Sequence, residues 1–296
     1  MRDGADILLD LNREIPTVYP DESIHSIEIE KNLPIWDDGG EADFATMLRR
    51  EVRVVFVCFI NRSGSNYLLD LVQQLDLGAY PTDEAFNYEE VIARCRKNDV
   101  GSFSAYLAKI ILAAAQNGFR FLKVGGEQLY WLTKHEFISR LMASRVPPKF
   151  IVISREDKIA QAVSLYIAEA TGRYSEFRAN GGCAAPEKDV PIGYDAARIL
   201  DRLRYVYYQE QLFSLFFTLH GIEFLPMKYE DLLKNPKAVL RDMLRYVGAP
   251  KSSIARLGSI AADGKTVIRQ GGELNRILID RFRSDFRIAG AAGQPS

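Results

Sequence analysis

A short polar turn, residues 61–66, combines donor groups in a pattern that suits the binding of an anion. Arg62 supplies a fixed positive charge with forked donors, and serines on either side of Gly64 add hydroxyl groups. Gly64 permits a tight curl that would bring backbone N–H groups of a helix start around a phosphate or sulfate. The same residues would also suit an ordinary turn with a serine as the helix N-cap, so the turn alone leaves both interpretations open.

The turn differs from the phosphate loop of magnesium-dependent phosphoryl transferases. That loop has the pattern Gly-x-x-x-x-Gly-Lys-Ser/Thr, in which the lysine reaches the outer phosphates. Here Ser65 follows Gly64 where the lysine would stand, and no glycine precedes Gly64 by five residues. The spacing therefore disfavours a Walker-type enzyme and predicts a nucleotide phosphate that is held without metal.

The turn joins the first clear strand to the first clear helix. Residues 54–60 are a continuous apolar run rich in β-branched and aromatic side chains, which is typical of a strand buried in a parallel sheet. Apolar residues then recur at helical spacing over 68–75, and Gly78 is expected to end this helix as its C-cap. A helix N-terminus is thereby placed directly after a buried strand.

Strands and helices continue to alternate along the chain. Further strands are predicted over 121–124, 150–153 and 222–228, and helices over 89–117, from 155 onwards, over 195–220 and over 229–247. This alternation predicts an α/β fold of the P-loop-NTPase-like type, with three layers and a central parallel sheet flanked by helices. Residues 173–194 contain a Gly-Gly pair and two separate prolines and are expected to form a long loop of a kind that often serves as a lid or binding segment.

The composition indicates an anion site that is local, because the chain as a whole is nearly neutral. The chain has 296 residues, 47% of them hydrophobic, and a formal net charge of −1, so it is not built to coat nucleic acid. We expect one domain over 51–290 and a C-terminal tail over 291–296. Residues 1–50 are expected to be an N-terminal extension in which prolines interrupt any helix.

The cysteines and the apolar segments indicate a cytoplasmic protein. Cys58, Cys95 and Cys183 are far apart and odd in number, which argues against a disulfide framework or a zinc site. The first residues show no apolar signal core, and the longest apolar run is too short to span a bilayer.

Four segments together resemble the PAPS-dependent sulfotransferases, where PAPS is 3′-phosphoadenosine-5′-phosphosulfate. They are Arg62-Ser63-Gly64-Ser65 before an apolar helix, residues 153–165, residues 227–236, and Ile268-Arg269-Gln270. The resemblance covers residues 52 to 290 and is closest to the bacterial branch that includes trehalose 2-sulfotransferase. Where the family usually carries threonine after the second loop serine, this chain has Asn66, which we expect to alter the loop geometry while still donating to a phosphate oxygen.

The resemblance implies which residues bind the nucleotide. The loop would hold the 5′-phosphosulfate, Arg155 and Ser164 would hold the 3′-phosphate, and Arg269 would add a C-terminal contact. The implied set is Arg62, Ser63, Gly64, Ser65, Asn66, Tyr67, Arg155, Ser164, Arg269 and Gln270. PAPS is then the co-substrate, with no metal, and one bisphosphate nucleotide must reach both Arg62 and Arg155.

Transfer to a sugar hydroxyl requires a general base, because such a hydroxyl is a poor nucleophile. Glu84 is the candidate base: it follows the first helix, is expected near the carboxyl edge of the sheet, and resembles the base of the same branch. Glu127 and His135 are the alternatives. Arg62 is expected to stabilise charge on the leaving group, and Lys123 to contact the sulfonate or the acceptor.

The predicted partners are a small-molecule or glycan acceptor and no nucleic acid, and a homodimer is compatible with the resemblance. Five aromatic residues could stack on a sugar or on adenine, or could simply pack in a core: Phe86, Tyr88, Tyr130, Trp131 and Tyr166. Two alternatives to a sulfotransferase remain at this point. One is a nucleotide-dependent phosphotransferase, and the other is a non-catalytic module of the same fold that binds nucleotide without turnover.

Overall fold

The fold is organised around a sheet of four parallel strands, seen in a computed structural model that describes residues 23–81, 83–113, 115–172, 174, 192–261 and 272–287. The strands are β1 (Arg53–Phe59), β2 (Phe119–Val124), β3 (Lys149–Ser154) and β4 (Leu225–Lys228). Their spatial order is β2-β1-β3-β4, and each neighbouring pair is parallel. The predicted α/β fold with a central parallel sheet is confirmed.

Helices surround this sheet. In chain order they are α1 (Ile24–Asn32), α2 (Asp38–Leu48), α3 (Ser65–Gln73), α4 (Tyr88–Asn98), α5 (Phe103–Ala113), α6 (Gly126–Lys134), α7 (Phe137–Met142), α8 (Lys158–Thr171), α9 (Ala196–His220), α10 (Tyr229–Lys234), α11 (Pro236–Val247), α12 (Lys251–Ala255) and α13 (Glu273–Asp285). None of the helices in these described ranges is both long and apolar enough to cross a bilayer.

Alternate side chains of β1 enter two different cores, because successive strand residues point to opposite faces. Val54, Phe56 and Cys58 belong to an aromatic-rich cluster with residues of α2, α5, α6 and α9. Val55 and Val57 belong to a second cluster with residues of α3 and α11. Burial of β1 on both faces explains why its sequence is a continuous apolar run rather than an alternating one.

A third, smaller cluster joins three helices beside the sheet. It contains Val163 and Tyr166 of α8, Ile199 of α9, and Leu278 and Phe282 of α13. This packing places the C-terminal helix α13 next to α8, the helix that follows β3.

Two helices occupy residues 24–48, where the sequence predicted that prolines would interrupt any helix. Ser23 caps α1 and Asp37 caps α2, each accepting a hydrogen bond from a backbone N–H in the first turn. Pro34 falls between the two helices, where it costs no helical hydrogen bond. Phe44 is fully buried in the first core, so this segment completes the aromatic cluster.

Several helices begin or end at residues other than those predicted, and local conformation explains why. The helix predicted over 89–117 is two helices, because Asp99 adopts a left-handed conformation (φ 51°) that ends α4. Gly78 is not the C-cap of α3, which ends earlier. The carbonyl oxygen of Gly78 instead accepts a hydrogen bond of 2.7 Å from the N–H of Phe121 in β2.

Other differences lie near the carboxyl half of the chain. The helix predicted over 229–247 divides at Asn235, whose side chain caps α11, and Pro236 occupies the first turn of that helix. The strand predicted over 222–228 is limited to β4, and α6, α7, α12 and α13 were not predicted. The helix predicted over 195–220 is confirmed as α9, which begins after its N-cap Asp195.

The sheet has a switch point between β1 and β3. β2 lies on one side of β1 and β3 on the other, so the connections that follow β1 and β3 leave in different directions. In open α/β sheets a crevice forms at such a point, and ligands bind there. The segments that leave β1 and β3 at this edge carry Arg62 and Arg155.

Candidate active site

The turn after β1 presents the positive end of α3. Gly64 is the N-cap residue with φ 90°, a left-handed conformation that glycine adopts without strain, so the alternative of a serine N-cap is wrong. Arg62 also has a positive φ, 68°, which is uncommon for a non-glycine residue and concentrates at functional sites. Ser63 is fully buried, and its Oγ has no hydrogen-bond partner among the described residues.

Tyr229, the first residue of α10, contacts both halves of the crevice. A Cβ atom on Gly64 would lie 2.2 Å from Cδ2 of the Tyr229 ring, so only glycine allows this approach. The guanidinium of Arg155 lies over the same ring, with Cζ 5.5 Å from its centroid. The ring therefore connects the turn after β1 to the arginine after β3.

Arg155 is held at the end of β3 without a full set of partners. Its Nε lies 3.9 Å from a carboxylate oxygen of Glu230, too far for a hydrogen bond. The other oxygen of Glu230 accepts a hydrogen bond from the N–H of Glu156 at 3.0 Å. Nε of Arg155 is buried with no hydrogen-bond partner among the described residues. Asp157, not Arg155, caps α8, so the arginine precedes the helix.

A cavity of ≈ 280 Å³ lies beside Arg155, between α8 and α13. Its lining includes Ser164 of α8 and Asn275 and Arg276 of α13. The Oδ1 atom of Asn275 is buried and has no hydrogen-bond partner within the described ranges. The sequence analysis missed these α13 residues, although the apolar spacing around Leu278 after two glycines could have indicated the helix.

Arg62 reaches from the turn to α8. Its Nε donates a hydrogen bond to Oγ of Ser164 at 2.9 Å, and Nη1 contacts the carbonyl oxygen of Tyr174. Ser164 also lines the cavity beside Arg155. Ser164 therefore connects the arginine after β1 to the cavity beside the arginine after β3.

Lys123 connects the turn to the candidate base. It lies near the carboxyl end of β2 and is only 2% exposed. Its Nζ donates to Oδ1 of Asn66 at 2.8 Å and to the carbonyl of Pro81 at 3.2 Å, and it forms an ion pair with Oε1 of Glu84. The side chain of Glu84 is 42% exposed. Asn66 therefore binds Lys123 in addition to any contact with an anion.

The two alternative bases lie elsewhere. Glu127, in the first turn of α6, accepts a hydrogen bond from Nε2 of Gln209 at 3.2 Å, and burial raises its pKa. His135, at the end of the same helix, shares a hydrogen bond of 2.8 Å with Glu30 of α1. The choice of Glu84 over these two residues stays a prediction.

Most of the aromatic candidates are core residues. Phe86, Tyr130, Trp131 and Tyr166 are each at most 8% exposed and pack in the hydrophobic clusters. Tyr88 is half-buried at the start of α4.

One histidine near Glu84 was missed by the sequence analysis. His25 accepts a hydrogen bond at Nδ1 from the N–H of Tyr88 at 3.3 Å. Burial lowers the pKa of His25, and the carboxylates of Glu84 and Glu89 oppose this effect. His25 was not considered for the site because residues 1–50 were expected to form an extension outside the domain.

Of the remaining predicted nucleotide-binding residues, the structure describes two and leaves two undescribed. Ser65 is buried in the first turn of α3, and Tyr67 packs against the second core. Arg269 and Gln270 lie outside the described residues, as does most of the predicted loop over 173–194, so their roles stay predictions.

Comparisons with known proteins show the family to which the chain belongs. A family model described as Stf0 sulphotransferase matches residues 55–285, a range that includes the turn, Glu84, Lys123 and Arg155. Among solved structures, the chain is similar to the sulfotransferase domain of an olefin synthase from Synechococcus PCC 7002. That likeness has a TM-score of 0.41 and 15% identity, and covers 83% of this chain and 92% of that chain. None of the curated proteins matches. Since the family model spans most of the chain, this protein belongs to the Stf0 sulphotransferase family and is a sulfotransferase.

Proposed function

We propose that this sulfotransferase moves a sulfuryl group from PAPS to a hydroxyl of a carbohydrate or glycolipid acceptor, with Glu84 as the general base. The observation that carries the proposal is the continuity of Arg62, Ser164 and Arg155 at the switch point of the sheet. In this proposal one adenosine bisphosphate places a phosphate at each arginine.

The donors of this region fit a bisphosphate nucleotide. A buried polar group without a partner costs about 1–3 kcal/mol, and both Ser63 Oγ and Arg155 Nε are in this position within the described residues. Phosphate oxygens would supply the missing acceptors. We assign the 5′-phosphosulfate to Arg62 and the N-terminus of α3, and the 3′-phosphate to Arg155 and Ser164. Arg269 and Gln270 are proposed to add contacts to the same nucleotide.

PAPS supplies the sulfuryl group already bonded to a phosphate leaving group. Glu84 accepts the proton of the acceptor hydroxyl at Oε2 as the acceptor oxygen bonds to sulfur. The bond between sulfur and the 5′-phosphate oxygen breaks, and the charge that develops on this oxygen is stabilised by Arg62 and the N–H groups of α3. Lys123, which contacts Glu84 and Asn66, stabilises the equatorial oxygens of the group in transit, as cations do in phosphoryl transfer.

The nucleotide site is tested by calorimetry of 3′-phosphoadenosine-5′-phosphate (PAP) binding in the presence of a chelator. We expect saturable binding to one site. The absence of binding would overturn the nucleotide assignment. Transfer of radiolabelled sulfur from PAPS to a panel of sugars and glycolipids then identifies the acceptor class, and labelling of other hydroxyl compounds alone would overturn the carbohydrate assignment.

The base is tested by Glu84→Gln, which keeps the side-chain size and removes the proton acceptor. We expect kcat to fall by about 10²–10⁴-fold while PAP affinity is retained, because a positioned base contributes this much to proton transfer. Glu89→Gln, on an exposed carboxylate five residues away, is the matched control and should keep its activity. Wild-type kcat in Glu84→Gln would contradict the base assignment.

A further inference from the structure

Two adjacent carboxylates, Asp83 and Glu84, lie in opposite environments. Asp83 is 8% exposed, and both of its oxygens are engaged. Oδ1 accepts a hydrogen bond from Arg94 at 2.8 Å, and Oδ2 forms an ion pair with Arg120. Glu84 instead projects toward Lys123 with a large part of its side chain exposed. Asp83 therefore anchors the segment that carries the proposed base.

Arg120 is a charged side chain in an unusual place, buried in β2 at 1% exposure. Its Nε donates to the carbonyl of Ile110 at 3.2 Å, and Nη1 donates to the carbonyl of Gly78 at 3.3 Å. Nη2 faces Asp83, so every guanidinium nitrogen has an acceptor. A buried ion pair is often no more stabilising than apolar side chains of similar volume, so stability alone does not explain this one.

The backbone that follows Glu84 is held separately. The hydroxyl of Tyr106 donates to the carbonyl of Ala85 at 2.9 Å. Nε2 of Gln128 donates to the carbonyl of Phe86 at 3.0 Å. These bonds fix the chain on one side of Glu84, and the ion pair of Asp83 fixes it on the other.

We infer that the ion pair of Asp83 with Arg120, extended by Arg94, positions Glu84 for proton transfer. This inference rests on the proposed role of Glu84 as the base. A base must lie within hydrogen-bond reach of the proton it removes, and a shift of about 1 Å can cost about 10²-fold in rate. Asp83 and Arg120 touch no reacting atom in this scheme, so they are positioning residues.

A second feature makes the inference testable by chemical rescue. A cavity of ≈ 380 Å³ is lined by Asp83, Arg94, Lys109 and Arg120, among others. Guanidinium ion can therefore reach the space that Arg120→Ala would leave and restore a cation beside Asp83. Rescue of this kind separates positioning from a general loss of folding.

The experiment compares full-length Asp83→Asn and Arg120→Ala with the wild type for kcat, KM for PAPS, PAP affinity and Tm. We expect kcat to fall by about 10- to 100-fold with PAP affinity retained. Millimolar guanidinium should restore part of the kcat of Arg120→Ala and should not restore Glu84→Gln. Glu41→Gln, which removes a surface ion pair with Arg140 between α2 and α7, is the control and should keep its kcat.

Wild-type kcat in folded Asp83→Asn would overturn the inference, and so would a loss of kcat that only follows a loss of PAP binding. If Arg120→Ala does not fold, Asp83→Asn and Arg94→Met still decide, because Arg94 is 33% exposed and tolerates replacement more easily. Full activity in Glu84→Gln would overturn the proposed base instead. The two failures are therefore distinguishable.

Discussion

Nε of Arg62 donates a hydrogen bond to Oγ of Ser164 at 2.9 Å, across 102 residues of sequence. This bond joins the turn after β1 to the helix after β3, and it brings the two proposed phosphate-binding groups into one site. Ser164 thus has two functions in the proposal, as a ligand of the 3′-phosphate and as the residue that orients Arg62.

Ser164→Ala should therefore weaken the binding of both PAP and adenosine 5′-phosphate. The hydrogen bond that orients Arg62 is worth about 1 kcal/mol, or roughly fivefold in affinity for adenosine 5′-phosphate, and PAP should lose more because it also loses the contact with its 3′-phosphate. Calorimetry with the two nucleotides measures this, with Ser139→Ala on α7 as the control, because that hydroxyl bonds only to a local carbonyl. Weaker binding of PAP alone would show that Arg62 does not depend on Ser164.

Arg155→Ala should discriminate between the same two nucleotides. We expect PAP affinity to fall by roughly 10- to 100-fold, since hydrogen bonds to charged groups contribute about 1.5–3 kcal/mol. Adenosine 5′-phosphate, which lacks the 3′-phosphate, should bind as it does to the wild type. Arg145→Ala, on a pair that is 69% exposed, controls for the loss of a positive charge. An equal loss for both nucleotides would place Arg155 away from the 3′-phosphate.

Gly64→Ala should destabilise the protein through both backbone strain and a steric collision. Alanine substitutions at two other glycines allow these two costs to be measured separately. The positive φ costs about 1–2 kcal/mol, and the added Cβ would collide with Tyr229. Gly248→Ala has a positive φ with nothing within 4 Å of the new Cβ, so it should show the backbone cost alone. Gly258→Ala has neither problem and should be neutral. Thermal unfolding should rank the three losses in this order, and equal losses at Gly64 and Gly248 would contradict the close approach of Tyr229.

Lys123→Met should lower kcat strongly while PAP affinity changes little. The substitution keeps most of the apolar stem of the side chain and removes the cation that contacts Asn66 and Glu84. Transfer assays and calorimetry on the same preparation measure the two quantities. A loss of PAP binding that equals the loss of kcat would assign Lys123 to the nucleotide rather than to the transferred group.

Glu127→Gln should make the protein more stable at neutral pH. Burial raises the pKa of this carboxyl above its ordinary value of 4.5, so the folded state binds its proton more tightly than the unfolded state. The wild type therefore loses stability as pH rises from about 4.5 through the folded-state pKa. The variant lacks this loss, so its advantage in Tm should be present at pH 7 and vanish below pH 4.5. An advantage that is constant with pH would contradict the pKa shift.

Local sequence features were sufficient to predict much of the fold and part of the site. The apolar run of β1, the Gly64 turn and the start of α3 are set by neighbouring residues, so the position of this turn between a strand and a helix was predictable. Arg155 was predictable for the same reason, because it follows a short apolar strand. The helices over 24–48 were missed, since their capping signals are short and prolines nearby suggested interruption.

The amino-acid sequence by itself determined the parallel α/β class, the turn after β1 and the two arginines that leave the strand ends, because periodicity and turn chemistry act over a few residues. Only the tertiary structure decided that Glu84 meets Lys123 while its neighbour Asp83 is buried against Arg120. Pairings of this kind join residues some 40 positions apart, and they depend on strand order and register. No local pattern contains that information, so the different environments of these two adjacent carboxylates appear only in the folded chain.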